Sequence, residues 1–295
     1  MGLKYLLLLM CIHMACTEME INIHADVENV YVETSGQEQH LVDESDRKLF
    51  KIQTEQLKAA VQKHYGRWPN DVYVRSPTPW GDLYKSYGWD EVMRVITIKS
   101  AKVRHGDITP TILVTKNFVN NSTKTMKLDT SVSHTVHNSY KISWKKEKKF
   151  TVSQKIDYGI NLIFVKGSGS TSFSYTSTWG EGEERSEAVT IGSTSGVKTV
   201  LEPGQAVTAV LAVNAGYLEI DVEYEISLAG IVAVNYKQPY NGHHFWGPRI
   251  EDVMESGKIA NDLIQVETIK ATYHSNATLT IYDKNSNNLM RSINL

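Results

Sequence analysis

The stretch that decides the fold of this chain is SYKISWKKEKKFTVSQKIDY, residues 139–158. Its odd positions carry only Ser, Thr, Lys, Glu and Asp. Its aromatic and aliphatic side chains all fall on even positions: Tyr140, Ile142, Trp144, Phe150, Val152, Ile156 and Tyr158. This period of two predicts an extended strand with one apolar and one polar face. The run is several times longer than the usual strand of about five to six residues.

A second extended run follows the first. The apolar segment INLIFV occupies residues 160–165, and the Ser/Thr-rich segment GSGSTSFSYTSTW occupies residues 167–179. We therefore interpret residues 131–179 as one long hairpin with an apolar and a polar face.

Residues 108–295 read as strand after strand, and we predict that they form one elongated β domain that includes this hairpin. The segment LEIDVEYEISL, residues 218–228, alternates strictly between apolar and polar side chains. A nearly continuous apolar run, residues 206–213, precedes it. Asn-Ala-Gly at 214–216 predicts a tight turn that pairs the two as a hairpin. The predicted fold class is mainly β, with long twisted antiparallel strands.

Residues 18–107 predict a small α+β head domain. Apolar residues at helical spacing indicate one amphipathic helix that begins at Asp43 or Ser45 and ends at Gly66. An aromatic-rich segment follows, and its flat rings suit a receptor or glycan ligand. Its members are Trp68, Tyr73, Trp80, Tyr84, Tyr87 and Trp89. The alternative is that these rings fill the core and the loop contacts of the head.

The N-terminus has the layout of a secretory signal peptide, which we assign to residues 1–17. Lys4 precedes an apolar run, residues 5–12, and small residues follow around Ala15. The run is shorter than the roughly 20 residues that a membrane-spanning helix needs. The sequence therefore predicts a secreted, extracellular protein. Because both cysteines, Cys11 and Cys16, lie in or beside this segment, we expect neither a disulfide nor a catalytic thiol.

Secretion makes N-glycosylation relevant. Asn120, Asn121 and Asn276 each begin an Asn-X-Ser/Thr sequon and are candidate N-glycosylation sites. The formal net charge of −2 gives no basic field of the kind that binds nucleic acid, so we predict no nucleic-acid partner.

We found no catalytic or cofactor-binding signature in the sequence. The Gly/Ser-rich run that begins at Gly167 lacks the strand-to-helix context of a phosphate-binding loop. His134 and His137 face opposite sides of a strand, and His243 and His244 do so as well, without an evident third ligand. We therefore predict that the protein is not an enzyme and holds neither a cofactor nor a metal.

The arrangement resembles the aerolysin-type β-pore-forming proteins, particularly the epsilon-toxin and mosquitocidal-toxin group. The resemblance covers roughly residues 111–228. It is carried by SHTV at 133–136, SFSYTSTWG at 172–180, LEPG at 201–204 and YEISLAG at 224–230. The head, with PWGD at 79–82 and GWD at 88–90, is similar to the insect proteins called spherulin-like or follicular-epithelium yolk proteins.

The resemblance implies a mechanism. Members of the family bind a membrane surface or a cell-surface receptor or glycan, assemble into homo-oligomers, and contribute a hairpin to a closed β-barrel pore. Such a barrel leaves no backbone group unpaired in lipid. In this chain the membrane-insertion hairpin would use Phe150, Val152, Ile156, Tyr158, Ile160, Leu162, Ile163, Phe164, Val165, Phe173 and Tyr175.

The lysine-rich run at residues 145–149 departs from this pattern. Lys146 and Lys148 share the face of Trp144 and Phe150, and a Lys on the lipid face costs about 2–4 kcal/mol at the bilayer midplane. We therefore expect any inserted segment to lie after this run. The alternative function is a non-lytic secreted yolk, storage or egg-matrix protein on the same fold, with carbohydrate binding as an additional option.

Overall fold

The computed structural model describes residues 18–25, 29–144, 155–166 and 169–295. The predicted signal peptide, residues 1–17, lies outside these ranges. The lysine-rich run 145–149 and the predicted inserting residues Phe150 and Val152 also lie outside them, as do the side chains of Phe164 and Val165.

The described chain is mainly β, as predicted, with long antiparallel strands and a small helical head. The strands are β1 Glu20–Ala25, β2 Val30–Ser35, β3 Gln37–Leu41, β4 Asp71–Tyr73, β5 Met93–Val119, β6 Met126–Trp144, β7 Asp157–Lys166, β8 Gly169–Thr178, β9 Glu184–Leu201, β10 Ala206–Ala229, β11 Ala233–Tyr240, β12 His243–Trp246, β13 Leu263–Asp283 and β14 Leu289–Asn294. The helices are α1 Glu44–Leu49, α2 Thr54–Tyr65, α3 Pro79–Tyr87 and α4 Ile250–Gly257.

Three sheets organise these strands. The largest has the order β3-β5-β10-β13-β6-β9, with β14 also pairing with β13. A four-stranded sheet has the order β2-β1-β7-β8, and a small sheet in the head has the order β12-β11-β4. The four-stranded sheet lies against the largest one, and their facing side chains belong to one hydrophobic core. A second core fills the other end of the largest sheet, around Val132, Leu211 and Leu279.

The predicted turn at residues 214–216 is wrong, because β10 runs through it as one strand of 24 residues. In this strand Gly216 has a role in the packing against the neighbouring strand. It lies opposite Tyr273 on β13, and a Cβ atom at Gly216 would stand 2.2 Å from the Tyr273 ring. The glycine therefore makes room for an aromatic ring across the strand pair instead of ending the strand. The strict alternation of β10 is otherwise visible as alternating buried and half-exposed side chains.

The predicted single helix between Asp43 and Gly66 is two helices. Asp43 begins α1 with a capping box, in which its carboxylate accepts from the Asp46 backbone N–H and the Asp46 carboxylate accepts from that of Asp43. The helical conformation is then interrupted at Lys51, whose backbone φ angle is 56°. Gly66, with φ of 80°, ends α2 as predicted.

The head is assembled from two separate parts of the sequence. β11 pairs with β4, α4 packs on α2 through Gly257 and Ala60, and the Tyr240 hydroxyl donates to the Tyr65 carbonyl at 2.6 Å. The predicted boundary between residues 107 and 108 falls inside β5, which continues from the head into the long sheet. Within the described ranges, no helix is long and apolar enough to cross a membrane.

Candidate membrane-inserting hairpin

The structure divides the predicted hairpin 131–179. Strand β6 pairs with β9 and β13, whereas β7 and β8 form a separate hairpin with the register Asp157↔Thr178 to Lys166↔Gly169. The prediction of one continuous hairpin is therefore wrong for its first arm. The reason is that a period of two indicates which side chains share a face, but it does not indicate which strand lies alongside.

The β7–β8 hairpin has two chemically different faces, and its apolar face points inward. Tyr158, Ile160 and Leu162 are at most 1% exposed, and Ile156, just before β7, is also buried. On β8, Phe173 and Tyr175 pack partly buried beside them. Burying a side chain of this size contributes about 1.5–3 kcal/mol, so several such residues hold the hairpin firmly.

The opposite face of the hairpin is polar. Ser172, Ser174 and Thr176 of β8 are exposed, and Asp157 of β7 is exposed as well. Ile163, predicted to join the inserting set, lies on this face and is half-buried. The alternation therefore places Ile163 away from Ile160 and Leu162.

Strand β1 covers the edge of β7. The two strands are parallel, with Ile21 opposite Ile160 and Ile23 opposite Leu162. Both isoleucines of β1 are fully buried. On the other face, the Asn161 Nδ2 atom donates to the Asn22 Oδ1 atom at 2.7 Å. In the docked hairpin β7 is thus an inner strand of the sheet and β8 its edge, and β1 holds β7 in place.

A buried carboxyl group lies beneath the hairpin. Glu267 of β13 is 0% exposed, and its Oε2 atom accepts a hydrogen bond from the Tyr158 hydroxyl at 2.6 Å. Its Oε1 atom accepts a second hydrogen bond from the Tyr224 hydroxyl of β10. Burial raises the pKa of Glu267 from 4.5 to about 7, although the two tyrosine hydrogen bonds act in the opposite direction. Burial also raises the pKa of Tyr158 and that of Tyr224 well above 10.

Aromatic rings connect the base of the hairpin to the largest sheet. Trp179, which follows β8, lies 4.6 Å from Tyr224 and 4.7 Å from Trp144, measured between ring centroids. Tyr175 of β8 lies 4.1 Å from Tyr140 of β6. These contacts hold the hairpin against that sheet, and they join rings that are remote in sequence, so alternation along one strand does not predict them as pairs.

Sequence reasoning missed Glu267, although the strand pattern contains a signal. In β13, Ile269, Ala271 and Tyr273 are buried on the odd positions, and Glu267 continues that series toward the N-terminus. A charged residue in register with a buried face is uncommon unless it is paired or hydrogen-bonded. The position of Glu267 in this buried series is the sequence feature that could have identified it as a special residue.

The aromatic residues predicted for receptor or glycan binding have different environments. Tyr84 is 3% exposed, and its hydroxyl donates to the carbonyls of Tyr73 and Ile231, both at 2.9 Å. It is therefore a core residue of the head. Trp68, Trp80 and Tyr87 are 45%, 47% and 56% exposed and can meet a ligand.

Two groups of rings form around α3. Tyr87 stacks on Trp89 with centroids 4.8 Å apart and planes 17° apart. Trp80 lies 5.3 Å from Phe245 and 6.1 Å from Tyr73. Phe245 was not among the predicted ligand-binding residues, because the later part of the chain that contributes it to the head is remote in sequence.

The backbone that presents Trp80 is unusual. Trp80, Gly81 and Asp82 all have positive φ, at 66°, 81° and 61°. The Asp82 carboxylate braces this turn by accepting hydrogen bonds from the Ser76 hydroxyl and, at 3.4 Å, from the Thr78 N–H. The Ser76 hydrogen bond lowers the pKa of Asp82, and nearby Lys85 does so as well. A non-glycine residue in this conformation persists only when its surroundings hold it there.

The three predicted glycosylation sites differ in how far their side chains are exposed to solvent. Asn120 is 1% exposed, and its Nδ2 atom donates to the carbonyls of Lys124, Leu201 and Glu202 at 2.9–3.1 Å. A glycan on this nitrogen is incompatible with the fold. Asn121 is exposed and Asn276 is half-buried, so these two stay candidates. Among the described residues, no group of three or more His, Cys, Asp or Glu side chains is placed to hold a metal.

No family model matches the chain. The chain is similar to several solved structures. It has a TM-score of 0.49 and 16% identity to parasporin-2, a Bacillus thuringiensis toxin that recognizes cancer cells, over 88% of this chain and 100% of that one. It has a TM-score of 0.47 and 14% identity to Mpp75Aa1.1, a β-pore-forming protein from Brevibacillus laterosporus, over 81% and 92% of the two chains. Both TM-scores are below 0.5, so family membership rests on the sequence relatives.

Two curated relatives come from Megalopyge. U-megalopygitoxin(8)-Mc8 of Megalopyge crispata is 32% identical over 260 residues, which cover 88% of this chain and 89% of that protein. U-megalopygitoxin(8)-Mo12 of Megalopyge opercularis is 31% identical over 287 residues, which cover 96% and 99% of the two chains. The chain therefore belongs to the U-megalopygitoxin(8) family.

Proposed function

We propose that this protein is a secreted toxin that inserts its β7–β8 hairpin into a target membrane as part of a homo-oligomeric β-barrel pore. The observation that carries the proposal is the docked, two-faced hairpin, whose apolar face is turned into the core. The toxin names of its relatives and the signal peptide assigned to residues 1–17 support the toxin role and secretion.

The dimensions of the hairpin suit a bilayer. Strands β7 and β8 have 10 residues each, and a tilted strand needs about 9–11 residues to cross the hydrocarbon core. Side chains of outer-membrane-type barrels alternate between lipid and lumen, as those of this hairpin alternate between apolar and polar. Because β7 begins at Asp157, the lysine-rich run 145–149 would stay at the membrane surface.

A hairpin alone cannot cross a membrane, since its outer edges leave backbone groups unpaired in lipid. Pooling one hairpin from each of several copies closes the barrel and pairs every edge. This requirement is the physical reason for the proposed oligomer. None of these steps requires catalysis.

The exposed rings of the head are proposed to bind a cell-surface glycan or receptor before insertion. Trp80 is exposed and braced, and Tyr87 stacked on Trp89 offers a second flat surface. Aromatic faces of this kind suit the apolar face of a sugar ring. Binding would raise the local concentration of the toxin at the membrane.

The test compares two neighbouring residues on opposite faces of β8. Phe173 lies on the apolar face and Ser174 is exposed on the polar face. In the proposed barrel, Phe173→Lys places a charge toward lipid at about 2–4 kcal/mol for each copy near the midplane, whereas Ser174→Lys places it in the aqueous lumen. We expect Phe173→Lys to abolish dye release from lipid vesicles and Ser174→Lys to retain it.

Circular dichroism and urea unfolding would first confirm that both variants fold. Equal dye release by the two folded variants would contradict insertion through this face. If the wild-type protein releases no dye from vesicles of several lipid compositions or from cells, the non-lytic storage or egg-matrix alternative takes the place of the pore.

A further inference from the structure

The Glu267 carboxyl group joins the hairpin to the sheet beneath it. Its two oxygen atoms accept from hydroxyl groups on different layers, Tyr158 on β7 and Tyr224 on β10. Glu267 itself is on β13, between β10 and β6. Removing β7 from this position would break the Tyr158 hydrogen bond and open the carboxyl group to water.

The surroundings of Glu267 offer few compensating charges. Among the described residues, the titratable groups that face it are Tyr158 of β7 and Tyr224 of β10. Trp144 is its neighbour on β6, and Ser177 of β8 lies opposite Tyr158; neither carries a charge. Within the same part of the chain, the groups that act on the Glu267 carboxyl are the Tyr158 and Tyr224 hydroxyls, and no basic side chain is among them. Within the described residues, an ionised Glu267 is therefore a buried anion whose stabilising contacts are the two hydroxyl donors.

We propose that Glu267 is a proton-controlled latch, which holds the β7–β8 hairpin docked while its carboxyl group is protonated and weakens that docking when the proton is lost. The proposal rests on the proposed function, because it assigns the regulation of the same hairpin. It predicts a toxin that is held closed in an acidic environment and becomes easier to open as the pH rises to neutral and above.

The direction in which docking depends on pH follows from the pKa of Glu267 in the docked and the released hairpin. Burial beneath the docked hairpin raises the pKa of Glu267 from its ordinary 4.5 to about 7, and exposure to water on release would lower it back toward 4.5. The docked state thus binds the proton more tightly. Its stabilisation is complete below about pH 4.5 and is lost as the pH rises through about 7. Between pH 5 and pH 8 the docking equilibrium constant falls by up to about 70-fold.

Amide hydrogen exchange measures this equilibrium without a membrane. The probe is the protection of the β7 amides at pH 5 and pH 8, corrected for the intrinsic exchange rate at each pH. We expect protection in the wild-type protein to fall by about 10–70-fold across this range. In Glu267→Gln the neutral amide keeps a hydrogen-bonding group in place, so the fall should shrink to about twofold or less. Glu223→Gln, a half-exposed carboxylate on the other face of β10, should behave like the wild type.

Tyr158→Phe gives a second test that keeps Glu267 in place. The Tyr158 hydrogen bond lowers the pKa of Glu267, so its removal should move the midpoint of the protection loss to higher pH. Wild-type protection that does not change with pH overturns the latch. An unshifted midpoint in Tyr158→Phe also overturns it, as does a pH response that persists in Glu267→Gln.

Dye release from vesicles at pH 5 and pH 8 separates the latch from the pore. Pore formation that depends on the Phe173 face, together with pH-independent β7 protection, contradicts the latch alone. A pH-dependent protection that disappears in Glu267→Gln, in a protein that releases no dye, supports the latch and contradicts the pore.

Discussion

The ion cluster around Arg94 gives a sharp prediction about how the head is fixed to the long sheet. Arg94 on β5 is 0% exposed, and its Nη1 atom lies 3.1 Å from the Asp46 Oδ1 atom of α1. Its Nη2 atom lies 3.3 Å from the Glu38 Oε1 atom of β3. One guanidinium therefore joins helix α1 to the neighbouring strands β3 and β5 of the largest sheet.

Arg94→Met removes this cation and keeps an apolar side chain of similar length. It leaves Asp46, which is 2% exposed, and Glu38 without their cation. Removing one partner of a buried ion pair costs about 3–5 kcal/mol, because the other charge stays buried and uncompensated. We expect a loss of this size in the free energy of unfolding at pH 7, a large part of the roughly 5–15 kcal/mol of a typical domain.

The loss should depend on pH in a definite direction. Burial raises the pKa of Glu38, and Arg94 acts against that effect. Without Arg94 the pKa of Glu38 rises further in the folded state, so the variant gains stability relative to the wild type as Glu38 takes up a proton. The loss should therefore be largest at pH 7 and smaller at pH 4.5.

Urea unfolding at the two pH values measures this difference. Arg104→Met is the matched control on the same strand, because Arg104 is 52% exposed and pairs with Glu219 and Asp221 at the surface. Its loss should be about 0–1 kcal/mol. A loss below about 1 kcal/mol for Arg94→Met, or equal losses at pH 7 and pH 4.5, would refute the reasoning.

Three further predictions concern the hairpin, the head and the loop at Asn120. A disulfide between Asn22→Cys and Asn161→Cys should lock β1 to β7 and abolish dye release from vesicles, and a reducing agent should restore it, because these neighbours already share a hydrogen bond of 2.7 Å. Trp80→Ala should weaken binding of labelled protein to intact cells by about tenfold, with unchanged urea unfolding, since the ring is exposed. Asn120→Ala should lower the free energy of unfolding by about 1–3 kcal/mol, because three backbone carbonyls lose their donor, while Asn121→Ala should stay within about 0.5 kcal/mol.

For each of these three predictions, one experimental outcome would contradict it. Dye release by the oxidised double-cysteine variant would mean that β1 and β7 need not separate. Equal binding losses in Trp80→Ala and in Tyr31→Ala, an equally exposed ring on β2, would mean that binding is not specific to the rings around α3. Equal stability losses at Asn120 and Asn121 would mean that the buried amide is not structural.

The sequence predicted the faces of the strands well, and the reason is local. Alternation identified the apolar side of β7 and of β10, and Gly66 identified the end of a helix. These features depend on residues that are close in sequence. The apolar segment 160–165 was predicted less well, because Ile163 follows an apolar neighbour and its face depends on the register of the strand.

The partners of the strands could not be predicted from such patterns. The same alternation in β6 suits pairing with β8 or with β9, and the choice depends on the packing of the whole sheet. The assembly of the head from two remote segments could not be predicted for the same reason, because the β4–β11 pair joins residues more than 150 positions apart. Glu267 illustrates the remaining gap, because its significance appears only when Tyr158 and Tyr224 are placed beside it.

The position of the hairpin within the chain has a consequence for the loop-closure entropy of its release. The segment leaves from β6 and returns to β9, and these strands pair with each other up to Lys141 and Glu184, whose side chains lie 2.9 Å apart. The ends of the segment are thus already held together, so undocking β7 and β8 leaves the loop between β6 and β9 closed. The largest sheet can stay intact while β7 and β8 move away from it. Their release is therefore a local opening of the structure and not global unfolding.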